Sequence, residues 1–348
     1  MRSVVVAHKP GRFCGWPANN GLWVWDSDQV LVGFATGDYI EQSGHNIAES
    51  HRAALARSAD GGLTWSIEAP TGYVDTVGRP RALPSPVDFR QAGFGLRISG
   101  AGYNGGGRYA GTFRISATAG GSWKGPYLLD GLAEEPQLAG LEFTARTEYE
   151  VLDSRTCLLF MSARDPLRSD RAFSAITKDG GKTFHFLSWI VCFDDPYRAV
   201  MPSVARCSDT ALVAAVRRRA VPADDCWIDA YISEDQARTW SFAGRVGDPG
   251  PWNGNPPALI RLNDGRLCCV FGDRARRRMV ARFSADMGDT WEVETILRDD
   301  FQPDRFDDPD LGYPRLFQRS DGRLVAIYYW ATEELPHQHI AATLWDPA

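Results

Sequence analysis

Ser58-Ala-Asp60-Gly-Gly62-Leu-Thr64-Trp65 is the first of five closely similar eight-residue segments in this chain of 348 residues. The other four begin at Ser116, Thr177, Ser233 and Ser284, and the third positions of consecutive copies are 58, 61, 56 and 51 residues apart. A repeat with this period indicates stacked supersecondary units, each too small to bury its own apolar face. The segment therefore predicts a repeat architecture for most of the chain.

The chemistry of the repeated segment is that of a tight turn. An Asp followed by Gly favours a turn in which the carboxylate accepts backbone N–H groups, and the Ser or Thr at the first position can join it. The closing Trp or Phe begins a strand and packs between neighbouring units. Two copies depart from the pattern, because Thr118 replaces Asp and Ala237 replaces Gly. These roles are structural, so we assign the segment no catalytic function.

A second pattern marks where each unit begins. Apolar segments start near a proline, which suits the first residue of a strand because no ladder donor is needed there. They are found at Gly15-Trp16-Pro17, Ser85-Pro86-Val87, Met201-Pro202, Asn255-Pro256 and Gly312-Tyr313-Pro314. Only the third unit, near Thr147-Glu148-Tyr149, lacks the proline. The two patterns predict six units near 15–68, 79–128, 142–190, 199–245, 254–298 and 312–346.

The repeated segment resembles the Asp-box of the sialidase superfamily. The resemblance implies an all-β, six-bladed β-propeller with five Asp-boxes, each lying between the third and fourth strands of a blade. We expect one domain over residues 1–348. The last blade has no Asp-box, and we expect Ser3-Val-Val-Val6 to complete it, which would remove the free edges of the ring.

Composition excludes several classes of partner. The net charge of −6 disfavours nucleic acid, and no apolar run is long enough to span a membrane. The segment 1–8 is too short for a secretory signal. We therefore expect a cytoplasmic protein, or a secreted or periplasmic one if the chain is a trimmed mature form. Seven cysteines without a Cys-x-x-Cys motif predict reduced thiols, no metal and no cofactor.

Tyr313 is the leading catalytic candidate. The stretch Leu311-Gly-Tyr313-Pro-Arg315 is similar to the sialidase segment that carries the nucleophilic tyrosine. A phenol attacks an anomeric carbon only when its proton is removed, normally by a nearby carboxylate. The alternative is an aromatic side chain that only lines the mouth of the propeller. Arg315 is a further candidate for substrate binding.

Arg217 and Arg274 each end a predicted second strand and should emerge on the face that carries the long loops. The resemblance implies that arginines from comparable blades bind the carboxylate of the substrate, through a planar fork that lysine lacks. The alternative is a solvated basic loop, since 217–219 and 276–278 are both runs of arginine.

Two positions depart from the sialidase pattern. Gly15 stands where the family has an arginine of the clamp, and Arg12 lies three residues before that place. Met201 stands where the family has the glutamate that activates the tyrosine, and Glu148 at the start of the third unit is the candidate substitute. These differences favour a sugar other than ordinary sialic acid.

Asp38 lies in the long loop where the family has its acid/base aspartate, and His45 shares that loop. A catalytic acid there needs a pKa raised by burial or by a like charge. The alternative for either residue is a hydrated loop side chain. Trp16 lies on the same face, where an aromatic ring can stack on a sugar.

The sequence therefore predicts a sialidase-like glycoside hydrolase that acts on a terminal, acidic sugar. A uronic-acid-specific hydrolase, an arabinan-type exo-hydrolase and a polysaccharide lyase remain open; in a lyase, His45 or Tyr313 would be the base. The alternative from another class is a non-catalytic propeller that binds carbohydrate or protein. A carboxylate within hydrogen-bond reach of Tyr313, or an acid facing it, would favour the enzyme.

Overall fold

The computed structural model describes residues 1–26, 29–73, 79–100, 111–144, 146–165, 169–220, 225–302 and 308–347. Its strands form six antiparallel sheets arranged as the blades of a propeller, which confirms the predicted all-β, six-bladed fold. Helical structure in these ranges is limited to α1 (Pro17–Asn20) and two 3-10 turns, Leu132–Glu134 and Pro136–Leu138. No helix in the described part of the chain is long and apolar enough to cross a membrane.

The chain opens with β1 (Arg2–Ala7), which belongs to the last blade. The first blade contains β2 (Arg12–Gly15), β3 (Leu22–Asp26), β4 (Gln29–Asp38), β5 (Arg52–Ser58) and β6 (Ser66–Glu68). The second contains β7 (Phe94–Ser99), β8 (Thr112–Ala117) and β9 (Lys124–Leu128). The third contains β10 (Glu142–Thr144), β11 (Tyr149–Val151), β12 (Cys157–Asp165), β13 (Ser169–Thr177) and β14 (His185–Trp189).

The second half of the chain is more regular. The fourth blade contains β15 (Arg198–Arg206), β16 (Leu212–Arg219), β17 (Cys226–Ser233) and β18 (Ser241–Gly247). The fifth contains β19 (Ala258–Arg261), β20 (Leu267–Asp273), β21 (Arg278–Ser284) and β22 (Thr295–Arg298). The sixth contains β23 (Gly312–Gln318), β24 (Leu324–Trp330) and β25 (His339–Trp345).

The two ends of the chain close the ring in the sixth blade. β1 pairs antiparallel with β25, with Ser3 opposite Thr343 and Val4 opposite Ala342. This pairing confirms the expected role of the first strand. It also covers the edge of β25, so the last blade does not depend on a fourth strand of its own.

The predicted first strand of the second blade is wrong. In the described residues near Pro86 there is no strand, and the segment lies against the third blade instead. The N–H of Val87 donates to the carbonyl oxygen of Gly180, and that of Phe89 to Ser154, both at 2.9 Å. Prolines at 84 and 86 lack the N–H groups that a ladder requires, which explains the error.

The repeated segments form hydrogen-bonded turns. In the third copy, Oδ1 of Asp179 accepts the N–H groups of Lys182 and Thr183 at 2.9 and 3.0 Å. Its Oδ2 accepts the hydroxyl of Thr183, and Oγ1 of Thr177 accepts the N–H of Gly181. In the second copy, Thr118 accepts the N–H of Ser122 at 2.9 Å through a single oxygen. A hydroxyl has fewer acceptor positions than a carboxylate, so this turn is less fully bonded.

A buried ion pair on the propeller axis joins the blades. Nη1 of Arg315, on β23, donates to Oε2 of Glu148 at 2.6 Å, and its Nη2 donates to the carbonyl oxygens of Ala18 and Thr147. Oε1 of Glu148 accepts the hydroxyl of Ser203 at 3.1 Å and the N–H of Val204 at 2.8 Å. These contacts connect the first, third, fourth and sixth blades.

The turns give a direct test of their contribution to stability. We expect Thr118→Asp to raise the free energy of unfolding by about 1 kcal/mol, because the carboxylate adds hydrogen bonds to an exposed turn. Asp179→Thr should lower it by about 1–2 kcal/mol for the reverse reason. Urea unfolding of both variants measures the difference.

The matched control is Glu234→Thr, which changes an exposed carboxylate at the second position of the fourth copy. It should change the free energy of unfolding by less than about 0.5 kcal/mol. If Thr118→Asp behaves like this control, the turn carboxylates do not stabilise the blades in the way described.

Candidate active site

Three large residues near the axis lie in the left-handed region of backbone space. Trp16, Met201 and Tyr313 have φ values of 56°, 57° and 50°, and each precedes a proline. Large side chains rarely adopt positive φ, and such strain persists only where surrounding contacts maintain it. Strained residues of this kind are concentrated at functional sites, so these three positions are candidates for one.

Asn255 holds Tyr313 in its strained conformation. Its Oδ1 accepts the N–H of Tyr313 at 2.8 Å, and its Nδ2 donates to the carbonyl oxygen of Leu311 at 2.7 Å. The intervening Gly312 has φ 96°, and a Cβ there would lie 2.5 Å from the amide of Asn255. Asn255 is fully buried, so the position of Tyr313 depends on this side chain.

A cavity of about 290 Å³ lies on the axis beside Tyr313. Its polar lining includes Arg146, Ser162 and Arg217, and Met201 is part of its apolar lining. The described lining residues include no Asp or Glu. The cavity therefore carries excess positive charge.

The hydroxyl of Tyr313 lies 3.5 Å from Nη1 of Arg217. Burial disfavours the phenolate, but the charges of Arg217, His45 and Arg274 outweigh burial and lower the pKa of Tyr313 to about 8. The side chain is only 9% exposed, so these charges act with little screening. A fraction of Tyr313 is therefore ionised at neutral pH.

His45 faces Tyr313 across the site and is held by a buried carboxylate. The two rings are 6.2 Å apart, and Nδ1 of His45 lies 2.7 Å from Oδ1 of Asp310. Asp310 also accepts the hydroxyl of Tyr329 and the N–H of Asn46. Burial lowers the pKa of His45, but the charge and hydrogen bond of Asp310 outweigh it, so the pKa is raised above its usual value. The pair thus favours an imidazolium that faces the tyrosine.

Arg274 approaches the same group from the fifth blade. It is 5% exposed, and its Nη1 donates to the carbonyl oxygen of Trp252 at 2.6 Å. Its Nε is buried and has no hydrogen-bond partner among the described residues. Burial lowers the pKa of Arg274, but the nearby Tyr329, Tyr313 and Asp310 raise it by more. The side chain therefore stays charged.

The structure places the other predicted residues elsewhere. Arg12 and Asp38 bind each other at the ends of β2 and β4, where the side chain of Asp38 is 70% exposed. Glu148 and Arg315 form the axial ion pair, and the contacts of the described residues do not join Glu148 to Tyr313. Their proposed catalytic and binding roles stay predictions.

Trp16 lies close to the catalytic candidates. Its ring is 4.8 Å from that of His45 and 5.5 Å from that of His51, both in edge-on contacts. Its side chain therefore supports the loop that carries His45. Whether its face also contacts a sugar stays a prediction.

Sequence reasoning missed Arg146, Asn255 and Asp310. Arg146 directly precedes Thr147-Glu148-Tyr149, the segment of the unit that lacks a proline, and this departure is the signal that could have identified it. Asp310 lies three residues before Tyr313, but only the fold brings it to His45. In the described part of the chain, no three His, Cys, Asp or Glu side chains are grouped closely enough to hold a metal ion.

Comparisons with known proteins identify the architecture. A model of the BNR repeat-like domain matches residues 104–326, and no curated protein matches the chain. A protein of unknown function from Dyadobacter fermentans is 20% identical with a TM-score of 0.70, over 99% of this chain and 97% of that one. The Penicillium chrysogenum alpha-L-arabinanase complexed with arabinobiose is 13% identical with a TM-score of 0.64, over 99% and 98%.

The NanB sialidase from Streptococcus pneumoniae is 13% identical with a TM-score of 0.56, over 95% of this chain and 69% of that one. Together with the six blades, these likenesses show that the chain shares its propeller fold with an arabinanase and a sialidase. Within this fold class, the chain belongs to the BNR repeat-like domain family.

Replacement of Asn255 tests how the site is held. Asn255→Ala removes both hydrogen bonds that flank Gly312 and leaves two buried backbone groups without partners. We expect the free energy of unfolding to fall by about 2–4 kcal/mol. Asn263→Ala, at an exposed turn, is the control and should change it by less than about 0.5 kcal/mol. Equal effects of the two changes in urea unfolding would contradict this role of Asn255.

Proposed function

We propose that this protein is a glycoside hydrolase that removes a terminal acidic sugar from a glycan or polysaccharide, with Tyr313 as the nucleophile. The observation that carries the proposal is the contact between Tyr313 and Arg217 beside a cavity with excess positive charge. The lowered pKa of Tyr313 supplies the phenolate without the glutamate that sialidases use. The phenolate oxygen would attack the anomeric carbon as the bond to the leaving oxygen breaks.

His45 is suited to protonate the leaving group. Its pKa is raised by Asp310, and it faces Tyr313 at a ring separation of 6.2 Å. The imidazolium would donate its proton to the departing oxygen. The neutral imidazole would then accept a proton from the water that releases the sugar from Tyr313. Asp38 is less suited, because its side chain is 70% exposed, against 42% for that of His45, and it is paired with Arg12.

The cations favour an acidic substrate. Arg217 and Arg274 are both buried and approach Tyr313 from different blades. A buried guanidinium gains most from a ligand that brings a compensating carboxylate. The fold of the alpha-L-arabinanase and of the NanB sialidase supports glycoside hydrolysis by analogy only.

A polysaccharide lyase is the second candidate, and the ionisable phenol of Tyr313 is the observation that favours it. A phenolate can remove the proton next to a carboxylate that arginine neutralises, and elimination then breaks the glycosidic bond. Such a reaction leaves an unsaturated product that absorbs ultraviolet light. A hydrolase leaves a saturated reducing sugar.

The first experiment measures release of reducing sugar from terminal sialosides, uronides and arabinofuranosides. We expect turnover of an acidic substrate and a loss of at least about a thousandfold in Tyr313→Phe, because the nucleophile is removed. Tyr197→Phe is the matched control, since Tyr197 is 43% exposed, and it should retain activity. Detection of an unsaturated product would show that the reaction is elimination and not hydrolysis. No turnover of any substrate tested would favour a binding propeller.

The pKa of His45 provides a test that needs no substrate. We expect proton NMR to show that His45 titrates above its usual value, and that Asp310→Asn lowers its pKa because the compensating negative charge is lost. His45→Gln identifies the resonance among the six histidines. If His45 titrates at the same pH with and without the carboxylate, Asp310 does not maintain the imidazolium.

A further inference from the structure

Segment 44–46, which carries His45, is attached to the start of the sixth blade by two carboxylates. The N–H of Gly44 donates to Oδ2 of Asp308 at 3.0 Å, and the N–H of Asn46 donates to Oδ2 of Asp310 at 3.1 Å. The residue between them, His45, has its Nδ1 2.7 Å from Oδ1 of Asp310. Asp308 and Asp310, the carboxylate pair, thus bind three consecutive residues of the loop.

The loop is also bonded internally. The N–H of Gln42 donates to Oδ1 of Asn46, and its Nε2 donates to the carbonyl oxygens of His45 and Ile47 at 2.6 and 3.3 Å. The N–H of Ile40 donates to the carbonyl oxygen of Asn46 at 3.2 Å. Residues that share one hydrogen-bond network respond to one another's loss. A change at one attachment of the segment should therefore affect the others.

Asp310 is itself fixed by the sixth blade. It is 1% exposed, it accepts the hydroxyl of Tyr329, and its carbonyl oxygen accepts Nε2 of Gln338 at 3.3 Å. Burial raises the pKa of Asp310, but the charge and hydrogen bond of His45 and the hydroxyl of Tyr329 outweigh it, so the pKa is lowered. Asp310 therefore presents a fixed negative charge to the segment. Asp308, which is half-buried, adds an acceptor at the other end.

Packing alone does not hold the ring of His45. The side chain is 42% exposed, and residues 41–43 and 49–50 of the same loop are exposed. Apart from the carboxylate pair, its described neighbours outside the loop are the edge of Trp16 at 4.8 Å and the ring of Tyr313 at 6.2 Å. The direction in which the imidazole points therefore depends on how the segment is attached.

We propose that the carboxylate pair sets the position of His45, with Asp308 as a positioning residue that acts through the backbone of segment 44–46. When both attachments are made, the imidazole faces Tyr313. When the bond to Asp308 is lost, the segment separates more often from the sixth blade and takes His45 with it. The role of His45 as proton donor rests on the proposed function, whereas the attachment rests on the hydrogen bonds to the pair.

The attachment is coupled to the protonation of His45. Burial lowers the pKa of His45 and Asp310 raises it by more, so the attached segment favours the imidazolium. The attachment is therefore strongest below this pKa and weakens as the pH rises through it. Of the other groups nearby, Tyr313 raises the pKa of His45 and Arg274 lowers it. The ionisable groups on the elements around the ring are Asp308, Arg274, Tyr313, Tyr329 and His51. The form of His45 that can donate a proton is thus the form that is held in place.

Amide hydrogen exchange and proton NMR on the full chain test the attachment without a substrate. We expect Asp308→Ala to speed exchange at both Gly44 and Asn46 by at least about threefold, although Asn46 keeps its own acceptor. The pKa of His45 should fall in this variant, because the ring is in contact with Asp310 for less of the time. In the wild type, the protection of Asn46 should decrease as the pH rises through the pKa of His45.

Asp308→Asn separates the hydrogen bond from the charge. The variant loses the carboxylate charge, but its side-chain amide oxygen can still accept the N–H of Gly44. We expect exchange at Asn46 to return to the wild-type rate, and the pKa of His45 to be higher than in Asp308→Ala. Glu49→Ala removes an exposed carboxylate from the same loop and is the control, which should change neither quantity.

Faster exchange at Gly44 alone, with Asn46 and the pKa of His45 as in the wild type, would overturn the inference, because the two carboxylates would then act separately. Equal pKa values of His45 in Asp308→Ala and Asp308→Asn would also overturn it, since charge alone would explain them. Protection of Asn46 that does not change with pH would contradict the coupling to protonation. Coupled exchange in a protein that turns over no acidic substrate sustains the attachment and contradicts the proposed hydrolysis. Turnover without coupled exchange does the opposite.

Discussion

The ion pair between Arg315 and Glu148 is the contact on which the rest of the axis depends. A buried ion pair is stable only when its remaining donors and acceptors are bonded, and here backbone and hydroxyl groups from several blades provide those bonds. Ser203 in turn accepts the N–H of Leu259, which brings in the fifth blade. Loss of Glu148 would leave the charge of Arg315 buried without its carboxylate at the point where the blades converge.

Glu148 and Arg315 also line a cavity of about 320 Å³ that shares no lining residue with the cavity beside Tyr313. Arg146 and Arg217 line the cavity beside Tyr313, whose described lining contains no acidic residue, and Arg274 is buried near Tyr313. Their charge has two consequences. It stabilises the phenolate of Tyr313, and it leaves guanidinium groups that an anionic ligand would compensate. The same positive charge of the buried arginines would therefore serve both substrate binding and activation of the nucleophile.

The backbone at the strand starts positions this chemistry. Tyr313 has a positive φ that its neighbours must maintain, and Asn255 binds the chain on both sides of Gly312 to do so. His45 is positioned differently, because two groups of its loop bind Asp310. These groups are the ring of His45 and the N–H of Asn46. Strain and buried hydrogen bonds together bring residues from distant parts of the chain within reach of one another.

The order of the blades can be predicted from the sequence alone, because the signals that mark them are local. The turn of Ser58–Trp65 uses hydrogen bonds between residues two to four positions apart. An eight-residue segment therefore contains all the residues that form it. The strand-start prolines were similarly readable, and they pointed to Tyr313. The second blade shows the limit, since Pro86 marked a segment that pairs with the third blade instead of forming a strand.

The pairing of charges across the axis depends on contacts that form only in the folded protein. Glu148 was a reasonable substitute for the missing glutamate, but its carboxylate binds Arg315, which is 167 residues away in the chain. Asp310 reaches His45 across 265 residues, and Arg146 meets carbonyl groups from two other blades. Pairing of charges depends on distances of a few ångströms between chain segments. A repeat pattern fixes the order of the blades but not which side chains meet where they converge.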